Sequence, residues 1–132
     1  MQDQLKALAA VMRQELEKIP SSFRQEEAVR QTLICLLYGA VGQMGLLPLP
    51  GWKPPKSPRD RLDLVGLDLG GELPRVEMAF VIDPLVELPK VRSLEWVDCP
   101  HKVVVTFSPR KDKVMQTGLF LNPGLIHLNL FD

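Results

Sequence analysis

The sequence predicts an α/β fold in one domain, a mixed sheet flanked by helices. Three observations predict it. The chain has 132 residues, a length that fits one domain burying roughly two thirds of its unfolded surface. Apolar residues recur at helical spacing near its start, and β-rich runs broken by turns fill most of the remainder. Helices and strands interleave, and such mixing folds around one sheet covered by helices.

The elements follow in order. The N-terminal segment 1–20 is an amphipathic helix over 3–19, with Asp3 as its cap and Leu5, Leu8, Met12, Leu16 and Ile19 on one stripe. Pro20-Ser21 stops it. A second helix starts at Ser22, where Ser22-Phe23-Arg24-Gln25 has capping-box spacing. It runs through Leu33, Ile34, Leu36 and Leu37 to the glycines at 39, 42 and 45. Its second half is apolar nearly all round, so it is expected to be buried, with Cys35 as a small core residue. Segment 46–58 holds five prolines and Gly51, a density that predicts an extended loop, either functional or a plain connector. Residues 61–67 and 75–82 read as two antiparallel strands around a Gly70-Gly71 turn. Asp83-Pro84 looks like a cap and first-turn proline for a helix over 85–96, although Pro89 offers a second start. Residues 102–107 form a buried strand, 109–113 a basic loop, and 118–132 a terminal hairpin turning at Asn122-Pro123-Gly124.

Composition narrows the function classes. Sixteen basic residues balance sixteen acidic ones, which argues against binding nucleic acid through bulk positive charge and removes repulsion between copies. Two cysteines without CxxC spacing make neither a zinc site nor a disulfide framework and fit a reducing compartment. The polar start carries no secretory h-region, and no apolar run nears the ~18 residues of a membrane span. A cytoplasmic protein with no membrane partner is therefore expected. His101 and His127 have no ligand partner at metal-site spacing, and the glycines match neither a P-loop nor a dinucleotide fingerprint.

Two acids interrupt apolar strands. Asp63 lies between Leu62 and Leu64, and Glu77 between Val76 and Met78. If their strands pair, both carboxylates can share a face. Close carboxylates need a counter-charge, and a hard cation such as Mg²⁺ or Mn²⁺ supplies one that also activates water and stabilises a phosphate under attack. The alternative is that each acid faces solvent from a half-exposed sheet.

In element order and in these acids, the chain resembles the restriction-endonuclease-like, or PD-(D/E)XK, nuclease superfamily. The resemblance covers roughly 22–108. It rests on a helix bearing Glu26 or Glu27, a strand opening Arg61-Leu62-Asp63-Leu64-Val65, a strand carrying Glu77-Met78-Ala79, and a Val-rich strand beyond a further helix. It implies metal binding by Asp63 and Glu77, with Glu26 in support. Glu26 also falls on the stripe of Val29, Leu33 and Leu37, though acids suit a helix's first turn in any case. The family's lysine, two residues after the glutamate, is Ala79 here. An alanine cannot polarise water, a role often worth ~10²- to 10⁴-fold. A relocated lysine would come from Lys102 or Lys90, with Lys102 ranked first as the start of a central strand. The catalytic candidates are thus Asp63, Glu77 and Lys102.

Two basic stretches remain. Lys53, Lys56, Arg59 and Arg61, opposed by Asp60, carry net +3, as do Lys102, Arg110, Lys111 and Lys113, opposed by Asp112. On one face they would grip phosphates, with Trp52 stacking on a base. Solvated loops are the plainer reading. The expected function is a nuclease-like domain, catalytically impaired, that binds nucleic acid or a partner protein. The alternatives are an active Mg²⁺-dependent nuclease with a relocated lysine and a non-enzymatic scaffold that forms a homodimer through the C-terminal hairpin.

Overall fold

In the computed structural model, which describes residues 2–55 and 61–131, the chain builds one five-stranded mixed sheet between two helical layers. Helix α1 (Gln2–Glu17) buries Leu5, Leu8, Met12 and Leu16. Helix α2 (Glu26–Gln43) buries Val29, Leu33, Leu37 and Val41, one residue per turn. Then come β1 (Leu47–Pro50), β2 (Leu64–Asp68), β3 (Arg75–Asp83), α3 (Leu88–Glu95), β4 (His101–Thr106), α4 (Lys111–Thr117) and β5 (Leu125–Asn129). The strands stand side by side in chain order. β1, β2 and β3 pair antiparallel, whereas β4 runs parallel to β3 and β5 parallel to β4. Parallel neighbours need crossovers, and α3 and α4 provide them.

The central strand explains the layers. Along β3, Met78, Phe80 and Ile82 point into the core under α1 and α2, while Ala79 and Val81 point into the core under α3. Period-two alternation with both sides apolar produces a strand buried on both faces. Among the glycines, Gly66 has the tightest surroundings. A Cβ there would lie 2.8 Å from Val41 Cγ1 and 3.1 Å from Leu46 Cδ1, so β2 and the end of α2 meet only because the residue is glycine.

Several expectations are corrected. The C-terminal segment is not a hairpin: residues 118–120 form a 3-10 turn after α4, and β5 pairs with β4 instead. β4 is buried and has an edge to satisfy, and β5 meets that need while burying Leu128; Leu119 stays 87% exposed. The expected basic loop 109–113 contains the start of α4. The proline-rich segment contains β1, which tolerates Pro48 and Pro50 because it is an edge strand. Asp83 ends β3 and does not cap a helix; α3 begins at Leu88, with Pro89 in its first turn. Ser22 lies in a 3-10 turn, no capping box forms, and α2 begins at Glu26. The linker is held by Arg24, whose Nε donates to Ile19 O at 2.7 Å. Cys35 is exposed, lying off the buried stripe of α2. Among the described residues, no helix is long and apolar enough to cross a membrane.

Candidate functional site

The C-terminal ends of β3 and β4 lie at the same end of the sheet as the start of β2. Open α/β sheets place ligands outside such strand ends. Here the chain entering β2 is locked in place. Gly51, at φ +71°, turns the backbone after β1. Its amide donates to Asp63 O at 3.3 Å, and Leu62 N donates to Trp52 O at 2.8 Å. Asp63 is thereby fixed with its carboxylate buried.

Both oxygens of that carboxylate are engaged. Oδ2 accepts the Ile82 amide at 2.6 Å, and Oδ1 accepts the Arg30 guanidinium from α2. Lys90 Nζ, on α3, stands 3.9 Å from Oδ1. Arg30 also donates to Ile82 O at 3.1 Å and lies 3.7 Å from Glu27. Asp83 stands beside this cluster. Burial pushes its carboxyl up to about 6; Lys90 and Arg30 pull it down, and Asp63 and Glu87 push it further up. A cavity of about 550 Å³ opens in front, with Arg30, Arg61 and Lys90 on its walls beside Asp63, Pro50 and Gly51.

The sequence-derived candidates divide between the two ends of the sheet. Glu77 does not join Asp63. It stands five positions from Ile82 along β3, a span of about 16 Å. One Mg²⁺ holds its oxygens at about 2.1 Å, so these two carboxylates cannot share an ion. Glu77 lies instead beside the irregular pairing of Gly66 and Leu67, with Arg75 at 3.4 Å. That ion pair lacks hydrogen-bond alignment, and Glu77 Oε2 is buried without a hydrogen bond among the described residues. Lys102 pairs with Ala79, midway along β3, and Lys90 is the lysine beside the aspartate. Ala79 is fully buried under α3, where a lysine would strand a charge. Glu26 is exposed at the start of α2 and lines a different cavity from Asp63.

Of the basic candidates, Lys53 and Arg61 are exposed, and Arg61 lines the cavity while donating to Gly51 O at 3.2 Å. Arg110, Lys111 and Lys113 are exposed around the start of α4, which follows the C-terminal end of β4. Lys56 and Arg59 lie outside the described residues. Trp52 packs its ring against the core under α3. Sequence reasoning missed Arg30 and Asp83. One signal was present: Arg30 is the sole basic residue of α2.

The donor set does not fit a divalent cation. Both Asp63 oxygens are engaged and two cations flank them, and the described residues contain no group of three or more His, Cys, Asp or Glu that could hold a metal. What the arrangement offers is three cationic groups facing a cavity, with Asp63 holding two of them in position. That chemistry suits an anion. No protein-family model matches the sequence, and neither a curated protein nor a solved structure matches it.

Proposed function

We propose that this chain is a nuclease-like α/β domain that binds the phosphodiester backbone of nucleic acid without cleaving it. The observation that carries this reading is the Arg30 guanidinium on Asp63, where a nuclease would place its metal ion. Arg61 and Lys90 turn the same recess toward phosphate. Net charge of zero makes this a local electrostatic effect.

The test is fluorescence anisotropy with a labelled single-stranded oligonucleotide at low salt. Arg61→Gln with Lys90→Gln weakens binding about tenfold, and the slope of log K against log salt falls by about 0.7 for each phosphate no longer neutralised. Parallel melting shows no Mn²⁺-dependent shift. Absence of binding by the wild type sinks the reading. A Mn²⁺ shift that disappears in Asp63→Asn points instead to an active metal-dependent nuclease using Lys90.

A second reading, homodimerisation, is favoured by one observation. The outer strand β5 (Leu-Ile-His-Leu-Asn) carries no proline and no charge, so nothing in its sequence blunts that edge. Two copies pairing β5 with β5 would join their sheets. Light scattering after gel filtration gives twice the monomer mass if so, and Ile126→Lys restores the monomer; a monomer for the wild type at high concentration refutes the pairing.

A further inference from the structure

A second cavity, of about 390 Å³, lies at the same end of the sheet. Its walls include Pro84 after β3, Phe107 and Pro109 after β4, and Phe131 after β5. Arg24, Glu26 and Ser108 are its polar lining. We infer that this cavity receives one unpaired nucleobase of the strand whose phosphates occupy the Arg30–Arg61–Lys90 recess, an inference that rests on the nucleic-acid reading above.

Placement supports it. The two cavities lie on either side of a single α2–β3 contact. Val29 lines the base cavity and Arg30, the next residue, lines the phosphate recess. On β3, Arg30 bonds Ile82 O, and Pro84 of the base cavity comes two residues later, about 7 Å along the chain. A strand can therefore set a phosphate in one and an adjacent base in the other. The flat rings of Phe107 and Phe131, with the apolar rings of Pro84 and Pro109 beside them, suit a base taken out of its stack, since every base has a π-face. A duplex offers no such base, since its bases are already paired and stacked.

The polar lining gives the preference. Arg24 is held by two backbone carbonyls, Ile19 O at 2.7 Å and Glu17 O at 3.3 Å, so its guanidinium is presented in a fixed place. Ser108 Oγ accepts the Arg110 amide at 3.2 Å, which leaves its proton to donate. Glu26 supplies a carboxylate acceptor. A base edge with N–H donors beside a carbonyl oxygen matches acceptor and donor together. Guanine has that edge, with its N2 amine and O6.

The experiment compares strands of abasic sites carrying one central guanine, one central adenine or no base, by competition against a labelled strand. The guanine strand binds about tenfold tighter than the abasic one. Glu26→Gln, at an exposed position, abolishes the preference for guanine over adenine. Equal affinity for all three strands overturns the base cavity. If Arg61→Gln with Lys90→Gln still weakens every strand in that case, the backbone reading stands alone. If no strand binds the wild type, both fail.

Discussion

Arg30 and Asp63 are 33 positions apart in the chain, yet they make the contact on which the site is built. Both were visible as single residues, a cation on an apolar helix and an acid opening an apolar strand. Their meeting was not, because nothing in local periodicity says which turn of a helix reaches which strand end. The same gap hid Asp83, which read as a helix cap and is the last residue of β3. Its carboxyl titrates at about 6 in the fold against 3.8 in the unfolded chain. Between those values the folded state holds a proton that the unfolded state has released. Its contribution to stability therefore falls as pH rises through the window and stays low above it. Asp83→Asn is expected to melt higher than wild type near about pH 8 and together with it near about pH 4. Equal melting at both would mean that Asp83 is not desolvated as its surroundings indicate. On the proposed nucleic-acid reading, ionised Asp83 competes for Lys90 and Arg30 above the window, so oligonucleotide affinity should weaken as it ionises.

Among the elements, legibility followed the length of the repeating pattern. The helix α1 and the strands β2, β3 and β4 were placed to within a few residues, because an apolar stripe or a period-two run specifies each. The short ones were misread. Four residues of β1 hide under two prolines, and the apolar residues after α4 have no period, so 118–121 passed for a strand. Strand existence is decided there by which neighbour lacks a partner, which is a property of the sheet. Gly66 shows the reverse dependence, where an element tolerates only one residue type. Gly66→Ala pushes a methyl against Val41, a β-branched side chain with no exposure, and is expected to cost about 1–3 kcal/mol in urea denaturation. Val41→Ala in the same chain should recover part of it, since the two changes meet at one point. Strict additivity would place the strain elsewhere.

At the scale of the molecule, the α/β class and the mixed sheet were readable from the interleaving of elements, while the location of the chemistry was not. Pairing Asp63 with Glu77 assumed that their strands set them side by side; Asp63 is held instead at Ile82, five positions along β3 from Glu77. The two margins of the sheet are also unequal. On β1, the amide of Gly51 points inward to Asp63 O, so alternation turns positions 48 and 50 outward, and both are prolines with no N–H to give. That margin is sealed against any further strand, while the β5 margin carries no such block. A sheet with one sealed margin has no head-to-tail route. Pairing through β5 uses up the sole available margin of each copy, so it closes at two and cannot grow into a filament.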